Sequence, residues 1–167
     1  MGYTTKFDGE VTVTPPLNPH EIAYLEKFAD TRRMDRMKGP YFVDGTGFFG
    51  QGEDPDIRDY NRPPRGQPNL WCHWVPTPEG DAIEWDQCEK FYDAAEWMSY
   101  LIDHFLKPGA HAQVDPGPNP PAEFAHFTFN HCVDGWIDAQ GEDPDDRWRL
   151  VVEDNRVSTQ SADITYH

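Results

Sequence analysis

Residues 3–14 alternate with a period of two. Tyr3, Thr5, Phe7, Gly9, Val11 and Val13 fall on one side, and Thr4, Lys6, Asp8, Glu10, Thr12 and Thr14 on the other. Successive side chains of a strand point to opposite faces, so this run specifies a strand with one face on a core and one in water. A sheet built on such a strand needs a covering layer on one side only.

The rest of the chain supplies that layer. Pro15 and Pro16 end the strand. Asn18 then has the position of a helix N-cap, with Pro19 at the first helical position and Glu21 placed to close a capping box. Ile22, Leu25, Phe28 and Ala29 recur as a helical stripe, which is expected to decay between Thr31 and Lys38. Residues 41–49 read as strand material broken by Gly45 and Gly47. A Gly/Pro/Asp-rich stretch follows over 50–69, long enough to suggest a functional or mobile loop. Residues 70–75 and 82–85 read as a hairpin. Asp86 and Glu89 suit the N-cap and capping box of a second helix, which carries Phe91, Ala94, Ala95, Met98, Leu101, Ile102 and Phe105 and stops at Lys107 and Pro108-Gly109. Residues 108–123 are an irregular Pro/Gly-rich loop. Strands are expected at 124–133, 136–139 and 147–153, with a turn at Asp154-Asn155 and a polar tail, 157–167, that adds an edge strand or frays. This order predicts one α+β domain over 1–167: an antiparallel sheet with two helices on one face, a ferredoxin-like core with added hairpins.

A length of 167 residues suffices for a core without disulfides or metal. Six Trp, seven Tyr and ten Phe supply the core area that a modest aliphatic content does not. The net charge of −16 repels nucleic-acid backbones and anionic membranes, so neither is an expected partner. It suits a basic protein, including one that mistakes the acidic surface for DNA. Three cysteines without repeated spacing, a polar opening over 1–6 and the lack of a bilayer-length apolar run point to a reducing cytoplasm.

Gln-Gly-Glu-Asp-Pro-Asp occurs twice, at 51–56 and 140–145, each time downstream of Val-Asp-Gly. The repeat predicts two similar hairpin-and-loop units. Glu53, Asp54, Asp56 and Asp59 in one, and Glu142, Asp143, Asp145 and Asp146 in the other, are oxygen donors of the kind hard cations use, but their spacing is not that of an EF-hand; Asp-Pro-Asp also simply builds turns. Lys27, Arg32, Arg33, Arg36, Lys38, Arg58, Arg62 and Arg65 put eight of the fourteen basic residues between positions 27 and 65. Arginines hold phosphate or carboxylate through paired hydrogen bonds, and the alternative is internal pairing with the abundant acids. Trp71 and Trp74 fall on opposite strand faces, which leaves one free to meet a ligand or partner. Glu84 and Asp86 form a carboxylate pair, although Asp86 has a capping role to fill. Cys72-His73 and His131-Cys132 would need to converge to bind zinc, and zinc-site spacing is absent. No phosphate loop, nucleophile elbow or HExxH helix is present, so no cofactor and no metal are assigned.

Thr31-Arg32-Arg33-Met34, Asp59-Tyr60-Asn61, Gln67-Pro68, Leu70-Trp71-Cys72, Glu84-Trp85-Asp86, Glu89-Lys90-Phe91-Tyr92 and the final Gly141–Asp146 run resemble a family of small uncharacterised acidic proteins of bacteria and their phages. The resemblance covers most of the chain and lends no catalytic residues. It implies a cytoplasmic, phage-linked setting in which blocking a host or defence factor is a common role. The expectation is therefore a non-enzymatic binding protein. Arg32, Arg33 and Arg62 would hold an anionic, nucleotide-like ligand, Trp71 would stack on it, and Asn61, Gln67, Glu84 and Asp86 would complete the site. The alternatives are recognition of a basic host protein, DNA mimicry, metal-dependent hydrolysis at an acidic loop, and a structural role in a phage particle.

Overall fold

A computed structural model describes residues 2–161. Eight strands are present among them: β1 (Lys6–Thr14), β2 (Asp35–Arg36), β3 (Ile57–Asp59), β4 (Trp74–Pro76), β5 (Ala82–Trp85), β6 (Cys132–Gln140), β7 (Arg147–Glu153) and β8 (Arg156–Ser161). Helix α1 spans Pro19–Ala29, and α2 spans Ala94–Leu101 and continues through a wider turn to Leu106. A short helix, α3, covers His111–Val114. Six strands form one antiparallel sheet in the order β4-β5-β1-β6-β7-β8, while β2 and β3 pair apart from it. The α+β class is as expected. Strand β1 lies between β5 and β6 with β4 outside β5, so β1-α1-β4-β5-α2-β6 is the ferredoxin-like core and β7-β8 the added hairpin.

The alternation in β1 sets the layers. Phe7, Val11 and Val13 are buried, and Asp8, Glu10, Thr12 and Thr14 are exposed. The covered face, with Ile137, Leu150 and Val152 of β6 and β7, packs against Tyr24, Leu25 and Phe28 of α1 and Trp97, Met98 and Leu101 of α2 in one core. Aromatic rings dominate it. Phe7 alone makes edge-to-face contacts with Trp74, Trp85, Phe91 and Trp148, with centroids 5.1–5.9 Å apart, each worth about 0.5–1.5 kcal/mol beyond area burial.

Helix α1 starts as its sequence dictates. The Asn18 side chain accepts from the His20 and Glu21 amides, Glu21 reciprocates on the Asn18 amide, and Pro19 opens the first turn. The helix stops at Ala29, short of the expected decay over 31–38. Five further expectations are corrected. Residues 41–49 are turns rather than strand, with a tight turn at Phe48–Gly50, and the stretch 50–69 contains β3. Residues 124–130 are not strand: a 3₁₀ turn occupies Ala122–His126. Strand β6 runs unbroken through Gly135, whose φ of +134° brings it close against Val11. Helix α2 begins after Asp93, not at Asp86, because the Asp86 carboxylate is engaged elsewhere. The turn at Asp154-Asn155 joins β7 to β8 as expected, and the last residues of the tail, 162–167, lie outside the described residues.

The two hexapeptides do not build equivalent units. Both make the same local turn: the Ile57 amide donates to the Asp54 carbonyl, and the Asp146 amide to that of Asp143. The second copy joins the adjacent strands β6 and β7, whereas the first leads out of the turn at Phe48–Gly50 into β3. The repeat therefore encodes a turn and not a duplicated architecture.

One buried pair locks the β1–α1 corner to the chain before β6. Glu21 Oε2 lies 2.9 Å from His131 Nε2, with both side chains 1% exposed. The other ring nitrogen donates to the Pro15 carbonyl at 2.6 Å, so both nitrogens act as donors and the ring is an imidazolium. Burial pushes the Glu21 carboxyl up, but hydrogen bonds from His131 and from the Asn18 and Thr128 amides outweigh it and leave the group below its ordinary value. Burial pushes His131 down, and the contacts with Glu21 and the Pro15 carbonyl outweigh that too, leaving it raised. The carboxylate's contribution is present above the unfolded Glu value of 4.5 and is lost as pH falls through the folded one. The imidazolium's is present below the unfolded His value of 6.5 and is lost as pH rises through the raised folded value. Urea unfolding should find Glu21→Gln about 3–5 kcal/mol less stable than wild type between these two values, the gap narrowing at higher pH as His131 loses its proton. A gap independent of pH would show that the pair is not ionised.

Candidate functional site

The structure disperses the basic residues that the sequence brings close together. Arg33 is 3% exposed. Its guanidinium lies 4.2 Å from the Phe28 ring centre and donates to the carbonyls of Pro40 and Phe42, at 2.7 and 2.9 Å, and to Gln67 Oε1. Gln67 is buried with it and donates to the Pro40 carbonyl and the Tyr100 hydroxyl. Burial pulls the Arg33 pKa down, and among the described residues no carboxylate lies within ion-pair distance of it. Arg36 is buried between Asp54 and Asp56, 3.3 and 3.0 Å away. Arg32 donates to the Tyr60 carbonyl and to Asn61 Oδ1. Arg62 is 77% exposed, with Asp59 at 3.8 Å. Arg58 faces Asp35, and Lys27 faces Asp44 and Glu123. Glu84 projects from β5 onto the open face of the sheet, opposite Glu10. The anion pocket expected of Arg32, Arg33, Asn61, Arg62, Gln67 and Glu84 is therefore not assembled. Arg33 and Gln67 are core struts, because buried carbonyls need donors, and Arg32, Arg58 and Arg62 pair with nearby acids, carbonyls or the Asn61 amide oxygen.

Trp71 and Asp86 do come together, in a cavity of about 490 Å³. Its walls are the C-terminal end of α1 (Ala29 and Asp30), Phe49, the segment 69–71, His73, and the loop between β5 and α2. Trp71 and Phe49 meet edge to face, 5.7 Å apart. Trp74, three residues on, points the other way into the core, where its indole N–H donates to the Ala94 carbonyl.

The polar end of the cavity is built around Asp86. His73 Nδ1 donates to Asp86 Oδ2 at 2.8 Å, and the Cys88 amide donates to Oδ1 at 2.8 Å. The Asp86 amide returns a bond to the His73 carbonyl. Phe91 presses edge-on against the imidazole at 5.1 Å and is itself backed by Phe7, so the core fixes the ring's orientation. The Trp85 indole N–H donates to the Cys88 carbonyl and pins the loop. Gln87, Lys90 and Asp93 take φ of +73°, +62° and +59° within this one segment. Non-glycine residues in that region cost of order 1–3 kcal/mol each and cluster at ligand clamps. Partial burial and the Asp86 carboxylate push the Cys88 thiol up. The donor atoms of His73, Asp86 and Cys88 lie within 4.8 Å of one another. Asp30, Asp86 and Glu89 against Lys90 make the lining net negative.

Among the described residues, His73, Asp86 and Cys88 are the side chains that converge in this way; the acidic loops do not. Asp54 accepts from Thr46 and Arg36, Glu142 from the Thr4 amide, and Asp146 from the Tyr3 hydroxyl. Nor do the two Cys-His pairs meet. His131 is held by Glu21, Cys132 by Asp134 and Asp154, and buried Cys72, its thiol pushed up to about 12 by burial, by the Trp74 carbonyl. His73 and Cys88 are the residues that sequence reasoning missed as a unit. Their one signal was Cys88 standing two residues after a carboxylate that already had an assigned capping role.

No protein-family model, curated protein or solved structure matches this chain. The chemistry of the cavity is thus what bears on function.

Removing Arg33 leaves carbonyls without their donor, and charged hydrogen bonds of this kind contribute about 1.5–3 kcal/mol each. Arg33→Ala should lose about 3 kcal/mol or more in urea unfolding, and Arg62→Ala less than about 0.5 kcal/mol, the range of exposed substitutions. Equal effects would contradict the internal role of Arg33.

Proposed function

We propose that the chain is a binding protein whose ligand is a small, flat, neutral or cationic molecule held in the cavity between Trp71 and Asp86. The observation that carries this reading is the pairing of two rings in edge-to-face contact, Trp71 and Phe49, with a carboxylate-rich polar end. A volume of about 490 Å³ is in the range of small-molecule sites. The rings offer stacking area, and Asp86, already oriented by His73 and Cys88, offers an acceptor for a ligand N–H. A nucleotide-like anion suits this lining less well, since three carboxylates there outnumber the single lysine. Three free cysteines, Cys72, Cys88 and Cys132, support a reducing, cytoplasmic setting, and the family resemblance supports a phage-linked one. No helix among the described residues is long and apolar enough to cross a membrane.

A thermal-shift and ligand-observed NMR screen of heteroaromatic amines, neutral heteroaromatics and nucleotides tests the reading. Hits should come from the first two groups. Trp71→Ala should weaken them about 10-fold or more, as base-stacking rings do, while Arg62→Ala leaves them unchanged. Nucleotides binding more tightly than neutral rings would overturn it.

A second reading, a basic protein partner, is favoured by the open face of the sheet. Trp136 is 56% exposed there. Glu10 is paired opposite it, and Glu84 opposite Glu10, with Asp8 and Asp138 in the adjoining pair. Arg149 lies 5.1 Å over the Trp136 ring and pairs with Asp138. An aromatic ring inside an acidic field is the pattern of an interface anchor for a cationic surface, and it serves the DNA-mimic alternative equally, since the target there is also basic. A partner recovered from the native cell should be released by salt, and Trp136→Ala should weaken it by about 2 kcal/mol or more. Unchanged binding would exclude this face.

A further inference from the structure

We propose that His73, Asp86 and Cys88 form a binding site for one zinc-class divalent ion in the wall of the cavity. The inference deepens the reading of that cavity as a ligand site, and it stands on a separate observation: three donor atoms of three chemical types lie within 4.8 Å of one another.

The donor set fits the ion. Imidazole nitrogen, carboxylate oxygen and thiolate sulfur are the three ligand types zinc takes from proteins, at about 2.0–2.3 Å. Ligands around a tetrahedral ion at those bond lengths sit roughly 3.3–3.8 Å apart, so the present spread closes with small side-chain rotations. A hard ion such as magnesium or calcium does not seek a thiolate and an imidazole. The charges balance as well, because one thiolate and one carboxylate neutralise a dication. On binding, the Cys88 thiol gives its proton to solvent, and the His73 ring proton leaves Nδ1, where it faces Asp86 without the ion, for Nε2, so that Nδ1 is free to ligate.

The surrounding structure holds the three side chains in place. Phe91 fixes the imidazole from the core side. The Cys88 amide fixes one Asp86 oxygen, which leaves Oδ2 facing the histidine. The left-handed Gln87 between Asp86 and Cys88 folds the chain back so that residues two apart aim at one point. An ordinary strand or helix explains none of this geometry, and α2 gains nothing from it, since it starts only after Asp93. All three side chains line the cavity. With three protein ligands, the remaining position of a tetrahedral ion is open to water or to a ligand. This narrows the ligand class to flat molecules that carry a nitrogen or oxygen donor at one edge, with the ring on Trp71.

The other thiol with acidic neighbours supplies the control. Cys132 contacts Asp134 and Asp154 but has no imidazole in the group. Cobalt(II) titration of the purified full chain, followed by zinc competition against a chromophoric chelator, tests the site. One ion per chain should bind and produce a thiolate-to-cobalt charge-transfer band in the near ultraviolet. Cys88→Ser should abolish the band and lower zinc affinity by at least about 100-fold, beyond the cost of losing an outer-shell partner. His73→Gln should weaken zinc comparably, and Cys132→Ser should change neither readout. Circular dichroism checks that each variant is folded, and Cys88 is exposed, so its replacement leaves the core intact. No stoichiometric ion, cobalt bound without the band, or loss of the band in Cys132→Ser instead of Cys88→Ser would overturn the proposal. Organic ligands that bind in a Trp71-dependent way while no stoichiometric ion binds would leave the cavity reading standing while this one falls. A metal site with no organic ligand would do the reverse.

Discussion

The buried Arg33 cation organises the half of this protein that carries the cavity. Arg33 sits over the Phe28 ring and donates through Nε and Nη2 to Gln67 and to the carbonyls of Pro40 and Phe42. Its backbone amide donates to the Leu70 carbonyl. Residues 31–71 contain little regular structure, so their carbonyls have few ladder partners, and buried carbonyls without donors are costly. One guanidinium meets several of them at once, which a neutral side chain does not do. The segment is thereby tied to α1 and α2, and Phe49 near its middle meets Trp71 at its end edge to face in the wall of the cavity.

The same economy explains why so acidic a chain holds few free positive charges near its pocket. Arg36 is enclosed by Asp54 and Asp56, and its second amino group donates to the Gly50 carbonyl. The first acidic hexapeptide thus folds around an internal cation, and its carboxylates are structural. The excess negative charge is left to the open sheet face, the outer loops and the polar end of the cavity. That distribution favours cationic or metallic guests over phosphates wherever the protein binds something.

The loop between β5 and α2 is where local preference yields. Three non-glycine residues adopt left-handed backbone there, and the helix that could have started at Asp86 is delayed to Ala94. The compensation is a three-residue polar cluster beside two rings in edge-to-face contact. Strain accepted at one place and repaid by a shaped polar site is a common mark of binding function.

What the sequence by itself determined is local. The alternation of 3–14 set which face of β1 is wet, the Asn18-Pro19-Glu21 signature set the start of α1, and the hexapeptide set the same turn twice, because each depends only on neighbouring φ, ψ and hydrogen bonds. The two-helix, one-faced sheet was legible for the same reason. The site was legible only in Trp71 and Asp86. Arg32 and Arg33 are adjacent and chemically identical, yet one lies in a surface loop and the other in the core. Asp86 had a helix N-cap within reach and was taken instead by a histidine thirteen residues earlier. These outcomes were decided by tertiary structure, because burial and the pairing of distant polar groups are fixed only when β4, β5 and the 31–71 segment close around α1, and the energy of those contacts exceeds the local preferences they override.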